Sequence, residues 1–229
     1  MPKSIVMRVL LAWCFSVGLS ALLFGQDNPS PQNKGPRVAV PEKVDGLAWA
    51  KDLPEATKEL LETFMRDQSA EGFLKLRQAV ADSAAYDPYS DNDEAAELLE
   101  AKKFAEAETK LVSMAANQFL NPRYHRLLYR AAKGLGKDEA ATLEVKFSVL
   151  CLKGILSTGD GRSEHPYLVL RVDDEYEVLS VLELRPASQG LEHRGDKYYD
   201  RIVVDNGGVL WFDVTTPHER LRKQLTPGK

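Results

Sequence analysis

Cysteine is scarce in this chain, which has two in 229 residues. Cys14 lies in an apolar N-terminal stretch that we expect to be removed, and Cys151 is then the only thiol left. An intramolecular disulfide is thereby excluded, even in a compartment that would allow one. Cys151 lies in the apolar run FSVLCLKGIL, which is typical of a buried structural cysteine rather than of a nucleophile.

The short signatures of common catalytic and metal sites are also missing. No HExxH, no paired CxxC and no GxSxG occurs, and the GDG at 159–161 follows a helical pattern rather than a strand. Long runs of lysine and arginine are lacking too. The 30 basic residues are mixed along the chain with 34 acidic ones, and the net charge is −4. We therefore expect no nucleic-acid partner.

The N-terminus has the three parts of a secretory signal peptide. Lys3 and Arg8 precede an uncharged apolar stretch at 9–25, and a polar segment starts at Gln26. The stretch is shorter than a membrane-spanning helix needs, so we expect cleavage after Gly25, a secreted or periplasmic protein, and no stable membrane insertion afterwards. An uncleaved N-terminal membrane anchor is the alternative. A lipoprotein box at Cys14 fits less well, because a small residue would be expected before it.

Composition divides the rest of the chain. Residues 26–45 contain four prolines and few large apolar side chains, which predicts a disordered leader. Residues 46–157 show amphipathic helical spacing, with cap signals at Ser69 and at the pair Asn121-Pro122. Residues 158–216 have the pattern of a sheet packed on the helices, and 217–229 is predicted to be a C-terminal tail.

The helical region contains two similar segments, AAELLEAKKFAEAETKL and LLYRAAKGLGKDEAATLEV. Each has a large residue, an alanine, a turn and then Glu-Ala, at a spacing near the 34-residue period of tetratricopeptide repeats. Small alanines let two helices approach closely, and Phe104 or Leu135 is expected to fill the turn. Because two such hairpins are fewer than a stable array needs, the earlier helices or the β part must cap them.

The second half is predicted to be an antiparallel β-meander of four strands. A hairpin turn is expected at 173–175, and Asn206-Gly207 is a strong signal for another. Trp211 and Phe212 should face opposite sides of the last strand, one in the core and the other exposed as a binding anchor. The fold class is therefore α+β, with helical hairpins followed by the meander. Its strands are predicted at 167–172, 176–184, 199–205 and 209–214.

Such a meander brings three loops to one end of the sheet, and each loop carries a histidine. His165, His193 and His218, with Asp160 and Asp196, form the candidate site for a metal or small ligand. Three imidazoles and a carboxylate suit zinc, which takes nitrogen and oxygen ligands in tetrahedral geometry. An open ligand position would allow a hydrolytic water. The alternative is that these residues are ordinary polar loop residues, and that STGDGRSEH is a hinge between the halves.

The motifs NPRYH, GDG and EYEVL, within roughly 86–214, give the chain a resemblance to a bacterial family catalogued as domain of unknown function 4919. The resemblance implies a shared fold and export to the cell exterior. It implies no activity and no catalytic residues.

The sequence favours an exported, non-enzymatic module of the cell envelope that binds a protein or peptide partner, without a cofactor. A concave surface of the helical hairpins is the expected binding face. The alternative is a metal-dependent hydrolase or a small-ligand binder that acts at the loop end of the sheet, with zinc as the metal.

Overall fold

Helices come first along the chain and the sheet follows them, in a computed structural model that describes residues 36–225. The α+β architecture is as predicted. None of the helices in this range is both long enough and apolar enough to cross a bilayer. The predicted signal peptide and the leader up to residue 35 lie outside the described residues. The helices are α1 (Glu55–Asp67), α2 (Ala70–Asp82), α3 (Asp93–Glu100), α4 (Phe104–Ser113), α5 (Ala115–Gln118), α6 (Pro122–Gly134), α7 (Asp138–Leu156), α8 (Val172–Val181) and α9 (Thr215–Leu225).

Two of the helix starts follow from local capping. The hydroxyl of Ser69 accepts a hydrogen bond of 2.9 Å from the backbone N–H of Gly72 at the start of α2. The side chain of Asn121 accepts one of 2.8 Å from Arg123, and Pro122 occupies the first helical position of α6. Both arrangements satisfy backbone donors that a helix start would otherwise leave unpaired.

The helices pack closely on one another at small residues. Helix α4 contacts both α3 and α6, and α6 packs along α7. A Cβ atom added at Gly134 would lie 2.3 Å from the ring of Phe104, so the ring lies directly on the glycine backbone. Gly154 of α7 is in the same relation to Phe73 of α2, also at 2.3 Å. Any side chain at these glycines would push the helices apart.

Part of the predicted leader lies against the first helix. The side chain of Gln68 pairs with the backbone of Val38, donating to its carbonyl at 2.7 Å and accepting from its N–H at 2.9 Å. Val44 is fully buried. Trp49, in a 3-10 turn over Ala48–Ala50, is buried among the helices. This docked stretch belongs to the compact unit Val38–Lys229.

The sheet has four strands as predicted, but the prediction that they form an antiparallel meander is wrong. Its order is β1-β4-β3-β2, and β1 runs parallel to β4, with Tyr167 beside Phe212. The β3–β4 hairpin is as predicted, with Gly207 at a φ of +84°. Phe212 is fully buried on the side that faces the helices. The strands are β1 (Tyr167–Leu168), β2 (Pro186–Arg194), β3 (Lys197–Val204) and β4 (Val209–Asp213).

The predicted second strand at 176–184 is instead α8. The carboxylate of Asp174 accepts hydrogen bonds of 3.0 Å from the backbone of both Leu170 and Arg171, and so caps the start of the helix. Acidic residues in a first turn also favour a helix electrostatically. Val178 and Leu179 are buried. The segment predicted as a hairpin turn is therefore the first turn of a helix.

Strand β2 was predicted to be a loop. Its sequence, PASQGLEHR, shows no apolar alternation because nearly all of its residues are exposed in the structure. Pairing with β3, from Ser188–Val203 to Arg194–Lys197, makes it a strand. The C-terminal segment predicted as a tail is also ordered, as helix α9 as far as Leu225.

Candidate functional site

Two of the three predicted site histidines meet at one tyrosine. The ring of Tyr198 on β3 is stacked between His193 of β2 and His218 of α9, with ring centroids 4.5 Å and 3.7 Å away. The strand and the helix are thereby joined through an aromatic stack. The imidazoles lie on opposite faces of the phenol ring, which keeps them apart.

His165 lies elsewhere. Its backbone carbonyl accepts hydrogen bonds from the N–H groups of Asp160, at 2.9 Å, and Gly161, at 3.1 Å. The carbonyl of Gly161 in turn accepts from Trp211 of β4. Because β1 runs parallel to β4, the loop before β1 lies beside the start of β4, whereas His218 follows its end. This segment is folded by its own backbone into a turn between the helical part and the sheet.

Asp196 lies in the β2–β3 turn. It follows Gly195, whose φ of +65° suits the first central position of a two-residue hairpin turn. Within residues 36–225, no three His, Cys, Asp or Glu side chains are grouped so as to hold a metal ion. The five predicted residues are therefore distributed over three places: the loop before β1, the β2–β3 hairpin and the start of α9.

The open edge of β2 is a feature that sequence reasoning missed. Strand β2 is the last strand of the sheet, and no backbone hydrogen bond pairs its outer edge with any other described residue. Arg194 and Lys197 close a two-residue turn, and residues alternate in the direction of their backbone groups. Counting back from Arg194, the backbone groups of Gln189, Leu191 and His193 point to the open side.

Side chains of the same three residues face the helical part, and one of them anchors the strand. The amide nitrogen of Gln189 donates to Asp200 at 2.7 Å and to Glu175 at 3.1 Å. Its amide oxygen accepts from the hydroxyl of Tyr176 at 2.7 Å. Every polar atom of this side chain is thus hydrogen-bonded, so β2 is held in place although it is exposed.

The carboxyl group beneath this anchor is electrically unusual. Glu175 has no solvent exposure, and Asp200 is also buried. Burial, together with the negative charge of and hydrogen bonding to Asp200, raises the pKa of Glu175 to about 10. The pair therefore holds a proton at neutral pH, which lets two buried carboxyl groups share the Gln189 amide.

Apolar side chains flank the open edge. Leu191 is 56% exposed and Tyr176 is 44% exposed. On the other face of the sheet, Trp211 is half-buried and the guanidinium of Arg194 lies 4.1 Å from its ring centroid. Trp211 and Phe212 thus take opposite faces as predicted, but the tryptophan is covered by an arginine of the same chain.

The inner face of the helical hairpins is occupied by the chain itself. Helix α8 packs on both α6 and α7. Arg123 of α6 forms an ion pair of 3.2 Å with Asp173, and Arg126 forms a two-pronged pair with Glu177. A partner therefore finds this part of the helical surface already covered.

A second fully buried titratable group lies among the helices. His125 has no solvent exposure, and Cys151 beside it is buried as predicted. The ring nitrogens lie 2.7 Å from a carboxylate oxygen of Glu144 and 2.8 Å from the carbonyl oxygen of Phe119. Trp49 donates to the other oxygen of Glu144 at 3.0 Å. The network is enclosed on all sides by core residues.

The chain matches no protein-family model, no curated protein and no solved structure. The resemblance to domain of unknown function 4919 therefore stays a prediction.

Proposed function

We propose that the protein is a non-enzymatic interaction module, exported to the cell envelope, that binds a protein segment along the open edge of β2. The single observation that carries the proposal is the unpaired outer edge of this nine-residue strand, whose other edge pairs with β3. Such an edge offers a row of donors and acceptors to an added strand, and the flanking side chains supply specificity.

The usual protections of an edge strand are few here. Natural edge strands are kept short, or carry lysines, prolines or bulges that prevent further pairing. Strand β2 has a bulge only at its beginning, between Pro186 and Ser188. From Ser188 to His193 its backbone is regular and carries a single charge, on Glu192. This stretch supports pairing with another strand.

Exposed apolar surface next to the edge supports the same proposal. Leu191 and Tyr176 both lie beside Gln189, which is anchored to the buried carboxyl pair. A rigid strand with apolar neighbours loses little conformational freedom on binding, and this favours association.

The helical part is proposed to be the rigid support for this edge. Ala107 and Ala141, which are 34 residues apart, are both buried where α4 and α7 meet their neighbours. With α8 packed across α6 and α7, the arrangement is similar to two tetratricopeptide hairpins closed by a further helix. We therefore propose the open edge of β2 as the binding surface, in place of the concave surface of the helical hairpins that the sequence suggested.

A binding role, rather than catalysis, is supported by where the chemistry-bearing groups lie. The two groups whose pKa values are raised to about 10, Glu175 and His125, have no solvent exposure. A catalytic group must come within hydrogen-bond reach of a substrate. Export itself is proposed from the signal-like residues 1–25.

A photo-crosslinking amino acid placed at Leu191 tests the proposal in cells that export the protein. We expect a discrete cross-linked product at this position. The matched control is Val149, which is also an exposed aliphatic residue at 45% exposure but belongs to helix α7 rather than to the edge strand β2. Equal products at both positions, or none at Leu191, would contradict binding along β2.

A further inference from the structure

The open edge of β2 is self-complementary. We propose that its occupant is a second copy of this chain, which pairs β2 with β2 in antiparallel orientation around a two-fold axis at Gly190. The inference rests on the proposed function, because it names the partner of the same edge. The product is a continuous eight-stranded sheet across two chains.

The backbone supports pairing around this axis. Gln189, Leu191 and His193 direct their hydrogen-bonding groups outward, so Gln189 of one copy can exchange both bonds with Leu191 of the other. Gly190 then faces Gly190 as a pair without mutual hydrogen bonds, at a Cα separation of about 4.5 Å. A Cβ at Gly190 has no atom within 4 Å in one chain, so the axis position is open.

The charge of Glu192 favours pairing with the axis at Gly190 over pairing with the axis at Leu191. With the axis at Gly190, Glu192 faces Ser188 of the second copy, and the two glutamates are offset by four residues, about 13 Å along the strands. With the axis at Leu191, each glutamate lies diagonally next to its counterpart, and like charges at such positions are unfavourable. Self-pairing with the axis at Gly190 therefore keeps the two Glu192 carboxylates apart.

The same register buries the exposed apolar side chains. Leu191 of one copy lies opposite Gln189 of the other, whose amide accepts from Tyr176. Each Leu191 consequently packs beside Tyr176 of the second copy, and the two leucines are diagonal neighbours on the face toward the helices. The contact is isologous, and it closes at two copies.

The test combines sedimentation of the purified full chain with two cysteine variants. We expect a dimer, and we expect Gly190→Cys to form an intermolecular disulfide under mild oxidation, because the Cα atoms at the axis lie within disulfide range. Ser188→Cys is the matched control, on the same face of the same strand. Its two copies would be about 13 Å apart, too far to be bridged. Equal cross-linking of both variants would overturn the register and the proposal.

A third variant keeps the test independent of oxidation. Leu191→Lys places two charges beside each other at the interface, and we expect the dimer dissociation constant to rise at least ~10-fold. Val149→Lys, on α7, should leave it unchanged. A wild-type chain that stays monomeric with no Gly190→Cys cross-link overturns the second copy as occupant. If the Leu191 photo-crosslink then joins a different protein, the proposed function stands without the dimer; if it joins none, both fail.

Discussion

The ring Nδ1 of His125 lies 2.7 Å from Oε2 of Glu144, and the histidine has no solvent exposure. The other ring nitrogen faces the Phe119 carbonyl, which can only accept a hydrogen bond. Both ring nitrogens thus face oxygen acceptors, whereas a neutral imidazole has only one N–H to donate. The His125–Glu144 pair therefore holds one proton more than a neutral histidine beside an ionised glutamate would. Burial opposes charge on the ring, but Cys151 and Glu144 together outweigh it and raise the pKa of His125 to about 10.

Replacing this histidine is expected to destabilise the fold strongly. His125→Leu leaves the Glu144 carboxylate buried without its partner, at a cost of about 3–5 kcal/mol in the free energy of unfolding. Trp49→Phe keeps the ion pair but removes the indole N–H from the same carboxylate, together with part of a buried ring. The lost hydrogen bond alone should cost about 1–3 kcal/mol. Urea denaturation measures both. Equal small losses would show that the buried pair contributes little.

The same pair predicts a pH dependence. The pKa of His125 is about 10 in the folded state and near 6.5 when unfolded. The stabilisation from its charge is therefore complete below pH 6.5 and is lost as pH rises through 6.5 towards 10. The stability difference between wild type and His125→Leu should shrink over that range. A difference that is constant with pH would mean that the proton is not held.

Glu175→Gln is expected to stabilise the protein at neutral pH. The pKa of Glu175 is about 10 in the folded state against 4.5 as the ordinary value, so folding above pH 4.5 requires proton uptake. The wild-type free energy of unfolding is therefore not reduced by Glu175 below pH 4.5, and it falls as pH rises from 4.5 towards 10. The neutral amide of the Glu175→Gln variant does not titrate, so this variant avoids the loss, which is about 3 kcal/mol at pH 7.

The measurement for Glu175→Gln is the stability difference from wild type at several pH values from 5 to 9. Comparing differences is necessary because burial also raises the pKa of Asp174 to about 6, and its titration adds a slope of its own to both proteins. A difference that does not grow with pH would contradict the buried, protonated carboxyl.

Gly154→Ala should loosen the contact between α2 and α7. The added methyl group would lie 2.3 Å from the Phe73 ring, which is itself buried. We expect a loss of about 1–3 kcal/mol from overpacking, even though alanine favours a helix. Gly46→Ala is the control, because its Cβ meets no atom within 4 Å. Phe73→Leu in the Gly154→Ala background should recover part of the loss in a thermal melt.

Metal content separates the two functions that the sequence suggested. The binding module proposed here should purify without stoichiometric zinc, and a chelator should leave its melting temperature unchanged. One tightly bound zinc per chain, with a melting temperature lowered by chelation and by His193→Ala, would favour the alternative at the loop end of the sheet. Val149→Ala serves as the unrelated surface control.

Local signals in the sequence determined the elements whose backbone hydrogen bonds or turns depend on residues nearby in the chain. Ser69 and Asn121 supply acceptors for helix starts within three residues, and Asn206-Gly207 reverses the chain between β3 and β4. Apolar spacing likewise indicated the helices up to Leu156, and the burial of Cys151 followed from the apolar run around it. These features depend on neighbours along the chain, which is why they were predictable.

Tertiary structure decided the second half. The run from Tyr176 alternates like a strand, yet burial of Val178 and Leu179 and the cap by Asp174 make it part of α8. Strand β2 has no apolar pattern of its own and exists because β3 pairs with it. Parallel pairing of β1 with β4 then placed His165 away from His193. Non-local hydrogen bonds and burial outweighed local preference there, so the candidate binding edge appeared only in the folded chain.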